Sequence, residues 1–290
     1  MGSGGTTMQR IGCPARCVKL PGRTYTPSEK LRYWCAVAHS SWQIAASGAL
    51  PALVAMWLVD RLDAKRPEPP RLRRLVAFMG MMSVIPAMII ELTLAGTVGE
   101  SVPPLLTYQG ASFHAFVVAA LVEEACKIWV VYRIVWRRPE FDERMDGIVY
   151  ASRAGLGFAL VENVLYLLRE PSLGGQLQVW IMRAVLAVPG HAMWTGMIGA
   201  MAARRRFDRK GLGLVGGYLL AVAFHGAYDF VVFLQVPLHL EGYDNLARLV
   251  MPTLIGLTLL AFLVLRSMAR TALRLDDADA ALTARASATP

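Results

Sequence analysis

The sequence predicts an all-α, polytopic membrane helix bundle of about seven transmembrane helices. Three observations predict it. Of 290 residues, 55% are hydrophobic and only 18% are charged, and the mean hydropathy is +0.43. A soluble domain of this size rarely reaches that apolar share. The apolar residues gather in runs near the length of about 20 that a bilayer-crossing helix needs. The basic residues fall in alternate loops between those runs, the pattern that membrane topology produces.

Seven runs qualify: 35–59, 75–98, 112–136, 147–168, 177–202, 211–235 and 248–266. They divide the chain into a polar, basic tail at 1–33, a seven-span domain at 34–268 and a C-terminal tail at 269–290. Loops 60–74, 137–146 and 203–210 carry Arg61, Lys65, Arg66, Arg71, Arg73, Arg74, Arg137, Arg138, Arg144, Arg204, Arg205, Arg206, Arg209 and Lys210. Loops 99–111, 169–176 and 236–247 carry Arg169 alone. The positive-inside rule then puts the C-terminus in the cytoplasm. Seven spans put the N-terminus outside, against the charge of Arg10, Arg16, Lys19, Arg23, Lys30 and Arg32. The net charge of +9 follows from these loops and does not call for a nucleic acid.

Gly213 and Gly217 form a GxxxG in the sixth run, and Gly196 and Gly199 place small residues in the fifth, which lets helices approach closely. There are four cysteines. Cys35 and Cys126 read as small buried hydrophobes. Cys13 and Cys17 form a lone C-x3-C with no second Cys/His pair to complete a zinc site. No apolar segment with a cleavage site opens the chain, so no cleaved signal is expected.

Ionisable residues inside a membrane are costly and point to function. Here they are numerous: Glu91 in the second run, Glu123, Glu124 and Lys127 in the third, Arg153, Glu162 and Asn163 in the fourth, Arg183 and His191 in the fifth, His225 and Asp229 in the sixth. At about 1.5 Å per residue, Glu91, Glu162, Arg183 and Asp229 lie roughly 10 Å from the outer end, and His225, Glu124 and His191 roughly 15–21 Å. A polar chamber opening outward would produce such a shared layer.

Spacing sharpens this. Lys127 is i+4 from Glu123 and i+3 from Glu124, so it can pair with either. Pairing with Glu123 would leave Glu124 as the free carboxylate and first choice of water-activating base, with Glu123 close behind. Phe158, Glu162 and Tyr166 share one stripe beside Asn163. His225 and Asp229 are i, i+4, the spacing of two ligands or of an imidazole oriented by a carboxylate. Glu91 and Arg183 read as a structural or substrate-positioning pair.

Two hydrolytic chemistries fit. A carboxylate can activate water while a histidine or Asn163 stabilises the oxyanion. Alternatively Glu162, His191 and His225 can hold a metal such as zinc, with a second glutamate as base. Neither an HExxH nor a GxSxG motif occurs.

The ordered set Glu123-Glu124-x-x-Lys127, Phe158-x-x-x-Glu162-Asn163-x-x-Tyr166, His191 in "GHAMWTG" and His225-x-x-x-Asp229 resembles the PrsW family of intramembrane proteases, distant relatives of the CAAX-processing proteases. The preceding "MDGIVYASRAGLG" is similar to the family as well, and the resemblance runs from about residue 45 to 266. It implies a bacterial inner-membrane protease that cuts a membrane-anchored protein, such as an anti-sigma factor, on its outer side. It also implies either glutamate-activated water or a metalloprotease mechanism. Where the CAAX-type pattern has a histidine in its second motif, this chain has Glu162. The rival classes are an ion-coupled transporter, which needs a polar path to both faces, and a heptahelical receptor, which needs no convergence of glutamates and histidines.

Overall fold

The computed structural model describes residues 27–97 and 105–288, with side chains from residue 42. Cys13, Cys17 and most of the basic N-terminal tail lie outside the described residues. Residues 44–290 form the compact unit that carries the site. Among the described residues every regular element is helical.

The helices are α1 (Pro27–Leu62), α2 (Pro70–Met82), α3 (Val84–Thr97), α4 (Tyr108–Phe113), α5 (Val122–Ile134), α6 (Arg144–Arg169), α7 (Leu173–Met182), α8 (Val188–Asp208), α9 (Gly213–Phe233), α10 (Gln235–Leu240), α11 (Asp244–Ala247) and α12 (Val250–Ala288). Two π-helical segments join neighbours without a break: His114–Leu121 runs α4 into α5, and Arg183–Ala187 runs α7 into α8.

The bundle is polytopic, as expected. Six helical stretches among the described residues are long and apolar enough to cross a membrane. The run at 112–136 is helical too, but it holds Glu123, Glu124, Lys127 and Arg133, too many charges for a span defined by length and composition. The site's own charges hide that helix from a hydropathy criterion.

α6 and α8 form the centre. Their facing sides carry small residues, and two glycines set the approach. A Cβ on Gly199 would collide with the Gly147 carbonyl, and one on Gly155 would collide with the carbonyl of His191. The absent side chains let two backbones touch, the small-residue packing expected between membrane helices. Gly155 thereby fixes how deep the backbone of His191 sits against α6. Around this centre, α2, α5, α9 and α12 supply Val76, Val130, Ala221, Leu254 and Ala261 to the buried core. Leu53, Trp57 and Leu58 of α1 and Leu259, Phe262 and Leu263 of α12 face outward, as a lipid-facing surface requires.

At the end with the basic loops, many arginines are paired. Arg144 holds Asp208, Asp276 and Asp279, and Arg66 holds Glu143 at 2.5 Å and Asp277 at 2.9 Å. Arg153 and Arg73 both grip Asp60. Residues 269–290 read as a C-terminal tail in the sequence, and as far as Ala288 they continue helix α12, whose aspartates bond Arg66 and Arg144.

Candidate active site

Five elements converge on a buried polar cluster. Its hub is Lys127 on α5, fully buried. The ammonium nitrogen lies 2.9 Å from Glu123 Oε2, 2.9 Å from Glu124 Oε1 and 2.8 Å from His191 Nδ1. It also sits 4.2 Å from the centre of the Phe158 ring, a cation–π contact. Glu123 and Glu124 diverge by about 100° on the helix, and a lysine three and four residues on can reach both. Lys127 does not choose between the glutamates, contrary to the simpler pairing with Glu123 alone.

Glu124 is the more saturated carboxylate. Its Oε1 faces Lys127 and His225 Nδ1 at 3.0 Å, and its Oε2 accepts from the Thr195 hydroxyl at 2.7 Å. It is completely buried, while Glu123 is 7% exposed. Glu123 lies 3.8 Å from His225 Nε2, beyond a direct hydrogen bond.

The histidines come from α8 and α9. An ammonium can only donate, so His191 Nδ1 accepts from Lys127, and its Nε2–H is given to Glu162 Oε2 at 2.8 Å. His225 offers Nδ1 to Glu124 and Nε2 to Asp229 at 3.3 Å. Trp194 stacks on the His225 ring with centroids 4.3 Å apart, and His191 meets His225 edge to face at 5.2 Å. Both imidazoles are therefore held in position and orientation.

Glu162 and Asp229 mark the half-buried side, with side-chain exposures of 18% and 20%. Glu162 also takes Arg183 Nη2 at 2.8 Å, and that guanidinium lies over the Tyr166 ring at 4.0 Å. Arg183 and His191 are eight residues apart, which on an α-helix would rotate them roughly 80° from each other. The five-residue π segment between them turns less per residue and removes that offset. Both side chains reach the same Glu162 oxygen as a result.

Three sequence expectations change here. Asn163 was a candidate oxyanion donor, but it is fully buried, gives its amide to the Gly48 carbonyl at 2.6 Å and accepts from Arg183 Nε at 2.9 Å. It is a strut between α6, α1 and the π segment. Arg183 pairs with Glu162 rather than with Glu91, whose Oε1 is buried and has no partner. The carboxylate grouped with His191 and His225 as a possible metal set is Glu123 rather than Glu162: one ligand atom from each of the three lies within 4.8 Å of the others. Glu162 is instead occupied by Arg183 and His191.

Sequence reasoning missed Thr195 and Trp194. Their signal was present, since they stand four and three residues after His191 and so share its face.

The sequence pattern of the PrsW family of intramembrane metalloproteases matches residues 68–265, more than half of the chain and including every residue of the cluster. The chain is 32% identical to the protease PrsW of Geobacillus kaustophilus (strain HTA426) over 193 residues, covering 66% of this chain and 80% of that protein. It is 29% identical to the protease PrsW of Oceanobacillus iheyensis, covering 75% of this chain and 92% of that protein, and 29% identical to that of Bacillus subtilis (strain 168), covering 65% and 82%. No solved structure matches it. With the four motifs on adjoining helices and this match along most of its spans, the chain belongs to the PrsW family of intramembrane proteases, a bacterial membrane peptide hydrolase.

Proposed function

We propose that the protein hydrolyses a peptide bond of a single-pass membrane protein, such as an anti-sigma factor, with Glu123 as the water-activating base. The observation that carries this reading is the unequal bonding of the paired glutamates. Glu124 is closed on both oxygens, whereas Glu123 keeps one oxygen clear of Lys127 and is the less buried. That reverses the order the sequence suggested. Glu124 orients Lys127, Thr195 and His225.

In this reading water approaches from the side of Glu162 and Asp229, and Glu123 removes its proton. His225, held by Asp229, stabilises the developing oxyanion and gives its Nε2 proton to the departing amine as the C–N bond breaks, and the proton held by Glu123, 3.8 Å away, then restores His225. Lys127 stays between the carboxylates, so Glu123 remains available as an acceptor without two buried like charges repelling each other. Glu162 fixes His191 and Arg183 at the mouth.

A metalloprotease family implies a metal, and the donor set fits one. One carboxylate and two imidazoles within 4.8 Å suit zinc in kind and spacing. Lys127 pairs with Glu123 and Glu124, Arg183 with Glu162, and Asp229 with His225, so four carboxylates meet two fixed cations, an imbalance that a dication would offset. Glu123, His191 and His225 would hold it, in place of the base and acid roles that Glu123 and His225 have without a metal. When bound, zinc would act as a Lewis acid on water or on the scissile carbonyl.

The basic residues of the alternate loops support a cytoplasmic C-terminus and a half-buried mouth towards the outside of the cell membrane. The test uses purified protein in proteoliposomes with a single-pass membrane protein from the same bacterium. Cleavage within or just outside the substrate's span, and about one zinc per chain by elemental analysis with activity lost on chelation, is the result expected for the metal version. Full cleavage by metal-free protein would remove zinc and leave the glutamate reading standing. No cleavage of any single-pass protein by zinc-loaded protein would contradict both.

A further inference from the structure

A second carboxylate cluster lies at the opposite, basic end of the bundle. Asp63 follows α1, Glu68 precedes α2, and Asp146 sits in the first turn of α6. Their exposures are 2%, 6% and 1%, and one oxygen from each lies within 4.8 Å of the other two.

The bonding around them is incomplete. Asp146 Oδ2 accepts the backbone N–H groups of Asp142 and Glu143, both at 2.8 Å, which caps α6. Its Oδ1 is buried without a partner. Glu68 Oε2 accepts the Tyr150 hydroxyl. Asp63 has no partner on either oxygen, although both are buried. Buried polar atoms are almost always hydrogen-bonded, and a buried carboxylate without a partner is costly. Among the described residues no cation reaches the Asp63 oxygens, and the nearby Arg66 Nη2 is itself buried without a partner. Arg66, the cation facing Asp63, already holds Glu143 and Asp277, while Glu143 and Asp276 add negative charge. Burial and the neighbouring Glu143 and Glu68 push the Asp63 carboxyl up to about 6.

We propose that Asp63, Glu68 and Asp146 bind a hard divalent cation of the magnesium or calcium class. The donors are all carboxylate oxygens, with no imidazole or thiolate, which is the chemistry of these ions rather than of zinc. The free oxygens of Asp63 and Asp146 are the ones a cation would take. Binding would tie the α1–α2 turn to the first turn of α6, the helix that carries Glu162 at its other end. The site is separate from the active site and does not depend on how that site works.

The experiment follows thermal unfolding of the full-length protein in detergent, stripped with chelator and then titrated with magnesium chloride or calcium chloride. The wild type is expected to gain several degrees at millimolar cation. Asp63→Asn, which removes the unpartnered charge, is expected to unfold at or above the stripped wild-type temperature and to show no gain. Glu68→Gln, which keeps an acceptor for Tyr150, provides the second variant and is expected to lose most of the gain. Stripped and then supplied with zinc alone, Asp63→Asn should match the wild type in proteolytic activity. A wild type that ignores both ions, or variants that respond as the wild type does, would overturn the site.

Discussion

Lys127→Ala is expected to destabilise the protein by about 3–5 kcal/mol, because removing one partner of a buried ion pair leaves an uncompensated charge. Here two carboxylates would be left. Lys127 is completely buried and contacts Glu123, Glu124, His191 and the Phe158 ring, so no water can take its place cheaply. The second substitution Glu124→Gln, made on top of Lys127→Ala, should recover part of the loss by removing one of the stranded charges. Denaturant unfolding in detergent measures both. A single variant within about 0.5 kcal/mol of wild type, the range of ordinary surface substitutions, would mean the hub is not energetically coupled.

His225→Ala should lower the rate of cleavage by about 10²–10⁴, the usual contribution of a positioned acid or base. Among the described residues the ring is the only group that bridges Glu124 and Asp229, and Trp194 stacks on it to fix its plane. Asp229→Asn keeps a partner for Nε2 and should cost about 10–100-fold, in line with other groups that orient a histidine. Single-turnover cleavage in proteoliposomes separates these from binding. Equal rates for Asp229→Asn and wild type would detach Asp229 from the role assigned to it.

The helical architecture was legible because membrane helices must satisfy their own backbone and therefore appear as long apolar runs. The cluster was legible because charge is rare in such runs, so Glu123, Glu124, Glu162, His191, His225 and Asp229 stood out. What was not legible depended on which atoms of a side chain are taken. Spacing allows Lys127 to reach either glutamate, and only three-dimensional placement shows that it reaches both and that Thr195 and His225 close Glu124. Arg183 was paired with Glu91, which lies at the same depth, whereas the guanidinium that follows α7 into the π segment bonds Glu162. Asn163 looked catalytic because its neighbour Glu162 was, yet the Gly48 carbonyl that engages it is 115 residues away in the chain. The aspartates of the C-terminal segment resembled a solvated tail because their arginine partners lie in distant loops.

The most direct test of the account compares Glu123→Gln with Glu124→Gln, by cleavage of a single-pass substrate and by thermal unfolding of the same preparations. Glu123→Gln should unfold near the wild-type temperature or above it and lose cleavage by about 10²-fold or more. Glu124→Gln should unfold at a distinctly lower temperature, because Lys127, Thr195 and His225 all lean on its charge. Cleavage at the wild-type rate by Glu123→Gln would contradict the account.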